Sequence, residues 1–345
     1  MLTIDGSLGE GGGQILRTSL SLAAITGVTV KITNIRASRE KPGLRPQHLT
    51  GALAVAEICG AEIEGAEVGS SEIIFRPRRI RPGNYEFDVS SIRSSAGSVN
   101  LVLQTILWPL ALAEKRSRVV IRGGTHVPHA PTSNYIMETF LPIVARMGVI
   151  CNYTMVKAGY YPEGGGEIRA EIRSADFSPL AITKRSEPIG IELTSAVSNL
   201  SQSIAERQMK AGSERVRAAG FSPEERIKNY PSPGKGTVFF ASLEAGQARA
   251  GFQSIGEVRR RAEHVAEEAC DEMDAYLRTE AALDKHLADQ LIIPMALAAG
   301  RSVFTTCEVT EHLLTNIAVV EKFFDVHFHV SAGVGQPGTV ERVEG

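Results

Sequence analysis

His312 combines a residue type and a position that suit phosphate chemistry. It follows Thr310 and opens the segment "HLLTNIAVVE", whose apolar residues recur at helical spacing. The histidine lies off the apolar stripe, which comprises Leu313, Ile317, Val320 and Phe324. With Thr310 as N-cap, the imidazole falls in the first helical turn, where the helix dipole disfavours imidazolium and attracts anions. A neutral imidazole beside a bound phosphate is a usable nucleophile; the alternative is a capping or surface histidine.

A glycine-rich stretch, "SLGEGGGQILR" at residues 7–17, is the second candidate. It lacks the Lys-Ser/Thr ending of a Walker A loop, so its Glu, Gln and Arg need a different explanation. Gln14 and Arg17 lie four and seven residues past Glu10, and the three share one face if a helix begins within the glycines. A related stretch, "PEGGGEI" from Pro162, has no basic companion, which favours a turn that only joins structural elements.

The composition is that of an ordinary globular protein. Of its 345 residues, 43% are hydrophobic and 22% are charged, a composition that indicates neither disorder nor a fibrous repeat. The formal net charge of −2 requires any nucleic-acid contact to be a local basic patch, and "RPRRIRP" from Arg76 is one candidate. The apolar run from Leu101 is too short to span a bilayer, and the first residues lack the features of a signal peptide. Four widely spaced cysteines predict reduced thiols, so we expect a cytoplasmic protein without membrane contact.

Repeated elements must position these residues, because similar apolar patterns recur three times, each as one β-α-β-α-β-β unit. In the first unit we predict helices at 13–26 and 45–59 and strands at 28–34, 61–64 and 72–76. In the second we predict helices at 97–114 and 133–147 and strands at 118–122, 149–156 and 166–173. In the third we predict helices at 284–299 and 311–324 and strands at 302–307, 325–330 and 339–343.

A separate β-α-β-β-α pattern interrupts these repeats at residues 184–275. Two helices per unit cover only one face of a sheet, so the three copies should pack together. The sequence therefore predicts an α/β (α+β) fold. We expect a large three-repeat domain of residues 1–183 and 276–345, with a smaller α/β domain inserted at 184–275.

Several motifs together resemble the RNA 3'-terminal phosphate cyclase family. They are "GEGGGQILR", "KPGLRPQHLT", "SAGS" with "LVLQT", "GGT" with "AP", "YPEGGGE", "LADQLIIPMALA" and "HLLTNIAVVE". The resemblance runs from residue 4 to about residue 330 and is weakest in the insert. It implies three repeats similar to the C-terminal domain of translation initiation factor 3, with a small inserted domain.

The resemblance also implies an ATP-dependent reaction on RNA with 3'-phosphate ends. The family's histidine, matched here by His312, attacks the α-phosphorus of ATP and forms a histidine-AMP phosphoramidate. AMP then passes to the RNA 3'-phosphate, and the neighbouring 2'-hydroxyl closes a 2',3'-cyclic phosphate. Such activation is needed because a phosphate is a poor electrophile until it has a leaving group.

Further site residues follow from the same resemblance. Glu10 matches a carboxylate ligand of the Mg²⁺ or Mn²⁺ that accompanies ATP. The basic loop of Arg36 and Arg39 is expected to hold the triphosphate or the RNA 3'-phosphate, although an unaided basic loop is usually only solvated. The remaining residues match the nucleotide site: Gln14, Arg17, Gln47, Gln104, Pro131, His286, Leu287, Ala288, Asp289 and Gln290. One departure is His286, because the family member compared has a tyrosine stacked on adenine there.

Two other functions stay open from the sequence. One is a non-catalytic RNA-binding relative that acts in ribosome assembly, and retention of His312, Glu10, Asp289 and Gln290 disfavours it. The other is a sugar-phosphate transferase built from similar units, which would need no covalent nucleotide. The sequence does not fix the oligomeric state, and a homo-oligomer is possible. The histidine pairs in "HVPH" and "VHFHV" lack a third ligand at zinc-like spacing.

Overall fold

The computed structural model of the protein describes residues 1–91, 96–187 and 189–344. The first sheet consists of β1 (Leu2–Asp5), β2 (Val30–Thr33), β3 (Glu62–Glu64) and β4 (Ile73–Arg76). The second consists of β5 (Asn84–Asp88), β6 (Ser117–Gly123), β7 (Cys151–Lys157) and β8 (Gly166–Ile172). A third sheet begins with β9 (Ala181–Ile182). The chain then forms four strands of another sheet: β10 (Ile189–Ser198), β11 (Glu224–Asn229), β12 (Gly236–Ala245) and β13 (Ala248–Ile255). The third sheet is completed by β14 (Ser302–Thr306), β15 (Val326–Val330) and β16 (Gly338–Glu344).

Helices join these strands in a repeating order. The first unit contains α1 (Gly13–Thr26) and α2 (Pro46–Cys59). The second contains a 3₁₀ turn (Val89–Ser91), α3 (Val99–Ala111), α4 (Ser133–Tyr135), a π-helical segment (Ile136–Phe140) and α5 (Leu141–Arg146). The segment between β9 and Lys285 contains α6 (Gln202–Ala218) and α7 (Ala262–Leu277). The third unit contains α8 (Lys285–Gln290), α9 (Ile292–Leu297) and α10 (Glu311–Val320).

Three of the sheets share one topology. Their strand orders are β1-β2-β4-β3, β5-β6-β8-β7 and β9-β14-β16-β15, with a parallel first pair and antiparallel pairs after it. The predicted α/β class with three repeated β-α-β-α-β-β units is therefore confirmed. A fourth sheet, β11-β10-β12-β13, follows the first strand of the third unit. Its strands and α6 lie within residues 184–275, the range predicted for the insert, while α7 continues to Leu277. The domain boundaries themselves stay a prediction.

Prolines and polar sequence explain where the elements differ from those predicted. The helix expected at 284–299 is divided into α8 and α9, because Pro294 has no N–H to donate to the carbonyl of Gln290. Pro142 has the same effect on the helix expected at 133–147, whose middle is π-helical. In the insert, β11 was not predicted because "EERIKN" is an exposed edge strand without alternating apolar residues.

The helices of the three units pack on one another. Helix α1 contacts α2 of its own unit, α3 of the second unit and α10 of the third. Its side chains Leu20, Leu22 and Ala23 are almost completely buried in these contacts. Burial of this apolar surface fixes the starts of α1 and α10 next to each other. Within the described residues, no helix is long and apolar enough to cross a membrane.

Candidate active site

His312 lies in the first turn of α10, as the sequence predicts. The side chain of Thr310 caps the helix and accepts a hydrogen bond from the Leu313 amide at 3.1 Å. Leu313 and Val320 are fully buried beneath the helix, whereas the His312 side chain is 47% exposed. The predicted cap is confirmed, and the imidazole is accessible from solvent.

The glycine-rich loop before α1 lies against two other helices. Gly9 has a positive φ of 55°, and a Cβ there would lie only 2.1 Å from Thr315 Oγ1 of α10. A Cβ on Gly13 would lie 2.2 Å from His48 Nε2 of α2. The glycines are therefore needed for close packing, which brings Glu10 and the start of α1 to the His312 ring.

Gln14 links His312 to the third-unit helix α8. Its Oε1 lies 2.6 Å from His312 Nδ1, and its Nε2 donates to Asp289 Oδ2 at 2.6 Å. Asn316, one turn after His312, donates to the backbone carbonyl of Asp289 at 2.6 Å and accepts from Thr18 Oγ1 at 2.6 Å. These contacts tie α1, α8 and α10 together around one imidazole.

This arrangement selects a tautomer of His312. With the Gln14 amide donating to Asp289, its carbonyl oxygen accepts from Nδ1–H, so Nε2 carries the lone pair. Nε2 lies 2.5 Å from the buried Oε2 of Glu10. The other carboxylate oxygen of Glu10 pairs with Arg39. A separation of 2.5 Å is that of a short hydrogen bond, so Nε2 and Oε2 share one proton, and both atoms become available to an electrophile or a cation when this contact opens.

Burial and nearby cations set the charges of the central groups. Burial, together with Arg17, Arg39 and His286, lowers the pKa of His312 to about 4, so the ring is neutral at pH 7. Burial raises the pKa of Asp289 to about 7, although the nearby cations and the Gln14 hydrogen bond oppose this. The site therefore holds an uncharged imidazole next to a carboxyl group that titrates near neutrality.

The rest of the predicted nucleotide segment lies along α8. The Asp284 side chain caps this helix by accepting from the amides of His286 and Leu287. Leu287 and Ala288 are completely buried and anchor the helix, whereas the His286 side chain is 54% exposed. Gln290 accepts a hydrogen bond from Gln104 Nε2 of α3 at 2.5 Å. A small cavity of about 50 Å³ lies between these glutamines, Gln14 and Arg17.

Three predicted residues make their contacts away from the imidazole. Arg36 has a positive φ of 56° and donates to the carbonyls of Lys41 and Gly43, so its guanidinium holds its own loop. Gln47 Oε1 accepts from the Ser98 amide at 3.1 Å. The Pro131 carbonyl accepts from Asn100 Nδ2 at 2.8 Å. Of the motif "SAGS", Ser95 lies outside the described residues.

Two residues near the site were missed from the sequence. Asn316 stands one helical turn after His312, and that spacing is a signal that could have been used. His48 is 6% exposed with an unpartnered Nδ1, and burial together with Arg17, Arg36 and Arg45 lowers its pKa well below the ordinary value. Its apolar surroundings in α2 gave no indication of this position.

Other sequence features have contacts of their own. In the basic segment from Arg76, that residue pairs with Glu64 and Arg78 pairs with Glu62, so part of its charge is neutralised within the protein. A Cβ on Gly165, in the second glycine-rich stretch, would lie 2.7 Å from Pro233 of the inserted segment. Across residues 1–91, 96–187 and 189–344, no three His, Cys, Asp or Glu side chains are close enough to share a metal ion.

Comparison with known proteins identifies the family. A profile of the RNA 3'-terminal phosphate cyclase family matches residues 8–330. A protein of that name from Methylococcus capsulatus is 45% identical over 328 residues, which cover 94% of this chain and 91% of the relative. A protein of the same name from Trichormus variabilis is 42% identical over 94% of this chain and 94% of its own. Another, from Methanopyrus kandleri, is 41% identical over 100% of this chain and 99% of its own. The chain therefore belongs to the RNA 3'-terminal phosphate cyclase family.

Proposed function

We propose that this protein converts an RNA 3'-phosphate to a 2',3'-cyclic phosphate at the expense of ATP, through AMP bound covalently to His312. Nε2 attacks the α-phosphorus, a P–N bond forms and pyrophosphate leaves. An oxygen of the RNA 3'-phosphate then attacks the same phosphorus and releases the histidine. Finally the 2'-hydroxyl attacks the 3'-phosphorus, loses its proton and displaces AMP.

The observation that supports this proposal most is the position of His312 between Gln14 and Glu10. Gln14 accepts from Nδ1–H at 2.6 Å, so Nε2 is the nitrogen that attacks once its contact with Glu10 opens. Nucleophilic catalysis requires this protonation state, because an imidazolium has no lone pair to donate. Burial and the charges of Arg17 and Arg39 lower the pKa of His312, which favours the neutral ring that attacks the phosphorus.

Groups that attract phosphate surround the ring. Arg17 is largely buried in α1, and burial, opposed by Asp289, lowers its pKa to about 10, so it stays charged. Helix α1 begins at Gly13 without a side-chain cap, which leaves the amides of its first turn open to an anion. Arg39 is 41% exposed and pairs with Glu10, and we expect it to exchange this contact for a phosphate oxygen.

Glu10 fits the expected metal ligand. Its buried Oε2 contacts His312 Nε2, and once displaced from that contact this carboxylate oxygen could bind a hard cation. Mg²⁺ is typically held by one or two carboxylates together with phosphate oxygens and water, so one glutamate is a sufficient protein ligand. When bound there, Mg²⁺ or Mn²⁺ would neutralise charge on the triphosphate.

A non-catalytic RNA-binding relative remains the alternative, but it would have no use for the Asp289–Gln14–His312 chain of contacts. The test is incubation of the protein with α-labelled ATP and Mg²⁺ or Mn²⁺, followed by denaturing electrophoresis. The proposal predicts a labelled polypeptide. An unlabelled polypeptide under all metal conditions would favour the RNA-binding relative, or a sugar-phosphate transferase that forms no covalent nucleotide.

A further inference from the structure

Helix α7 of the inserted segment reaches the start of α8. The carboxylate of Glu272 lies 3.2 Å from Lys285 Nζ and 3.8 Å from His286 Nε2. Lys285 is also 3.9 Å from Glu308, so the lysine lies between two carboxylates. These groups border a cavity of about 310 Å³ that also contains Phe252 and Tyr276 in its lining. Glu272 thus brings the insert into contact with a side chain of the candidate nucleotide segment.

The His286 ring is near the reaction centre yet open to solvent. It precedes Asp289 by one helical turn, and its charge is one of those that depress the pKa of His312. Its side chain is 54% exposed, whereas that of Glu272 is 34% exposed. The ring therefore has a free surface for a ligand, while its Nε2 edge faces the carboxylate.

We propose that Glu272 is a positioning residue that keeps His286 as an imidazolium against the base of the bound nucleotide, so that the insert contributes to ATP affinity. The inference rests on the proposed function, because it takes ATP as the ligand next to α8. An imidazolium attracts the π face of a purine, whereas a neutral ring lacks this electrostatic contribution. A tyrosine at this position would stack without needing a carboxylate partner.

Electrostatics of the neighbouring groups agree with this role. Partial burial lowers the pKa of His286, but the nearby carboxylates of Glu272 and Asp284 outweigh it, and the pKa lies above its ordinary value. Lys285 acts in the opposite direction. The titratable and charged groups around the ring are Glu268, Asp271 and Glu272 of α7, Asp284, Lys285 and Asp289 at α8, Cys307 and Glu308 before α10, and His312.

The test measures adenylylation by ATP as a function of ATP concentration and pH. Glu272→Gln should raise the half-saturating ATP concentration about two- to fivefold near pH 7 and leave the maximal rate unchanged. Loss of the His286 proton should raise the half-saturating ATP concentration. In Glu272→Gln this rise should begin at a lower pH than in the wild type. Glu267→Gln is the matched control, since Glu267 is exposed on the same helix and pairs with His264. It should behave as the wild type.

The His286→Tyr variant tests whether Glu272 acts through the His286 ring. In the His286→Tyr background, Glu272→Gln should not change the half-saturating ATP concentration further. The pH dependence of that concentration should be the same with and without the Glu272→Gln change. Protonation of ATP itself affects all the variants equally, so it cancels when their half-saturating ATP concentrations are compared. An effect of Glu272→Gln that persists beside Tyr, or that lowers only the maximal rate, would overturn the inference. Glu272→Asp, which keeps the charge, provides a second variant if Glu272→Gln unfolds. Failure of the proposed function is distinguishable, because the wild type would then form no AMP adduct.

Discussion

Asp289→Asn should change how the stability of the free protein depends on pH. The folded-state pKa of Asp289 is raised from 3.8 to about 7, so the folded protein binds a proton that the unfolded chain has already lost. A raised pKa means that the stabilising effect of this proton is complete below about pH 4 and disappears as the pH rises through about 7. The asparagine variant cannot ionise and should keep its stability.

The magnitude follows from the pKa difference. A rise from 3.8 to about 7 corresponds to about 4 kcal/mol at high pH, since one pKa unit equals about 1.4 kcal/mol. Between about pH 5 and about pH 8, the wild type should lose about 2–3 kcal/mol of unfolding free energy that the variant retains. The measurement is urea unfolding of both proteins across this range, because other groups cancel in the difference between them.

The same carboxyl group should also affect adenylylation. Ionised Asp289 accepts from Gln14 Nε2 and so keeps the amide oxygen toward His312. The adenylylation rate of the wild type should therefore rise through about pH 7, and that of Asp289→Asn should be nearly flat there. Unfolding free energies that run parallel for the two proteins would refute the reasoning, because Asp289 would then titrate alike in folded and unfolded chains.

Three further predictions concern the loop, the metal and the substrate. Glu10→Gln keeps the size but removes the charge, so adenylylation should slow and need more metal; a metal titration identical to the wild type would exclude Glu10 as a ligand. Gly13→Ala would place a Cβ against His48 and should cost about 1–3 kcal/mol of unfolding free energy, measured by urea unfolding; an unchanged value would contradict the close packing. RNA ending in 2'-deoxyribose 3'-phosphate should accept AMP and stall in a single-turnover assay, because it lacks the attacking hydroxyl, and a cyclised product would contradict the proposed order of steps.

The repeated architecture was predictable because apolar periodicity reflects burial directly. Helix α1 is formed at residues 13–26, the range predicted from its periodic residues. By contrast, β11 carries mostly exposed charged residues, and its pairing with β10 depends on the partner strand rather than on its own pattern. The division between α8 and α9 could have been read from Pro294, which the apolar stripe obscured.

The site was only partly predictable, because its contacts join distant parts of the chain. The cap of His312 is local and was read from Thr310. The link from Gln14 to His312 spans 298 residues, so the sequence placed Gln14 near the nucleotide without indicating which group it binds. Arg36 is the reverse case, since its type predicted a phosphate contact and its guanidinium is bound to carbonyls of its own loop. Residue type indicates which chemistry is available, and the fold decides which partner is reached.

The central claim is that AMP becomes attached to His312 through a P–N bond. The most direct measurement is the acid and base stability of the labelled protein, with His312→Asn as the matched variant and circular dichroism to verify its fold. We predict an adduct in the wild type that is labile to acid and stable to base, and no adduct in His312→Asn. An undiminished adduct in the folded variant, or one that survives acid and is lost in base, would contradict the assignment of His312 as the nucleophile.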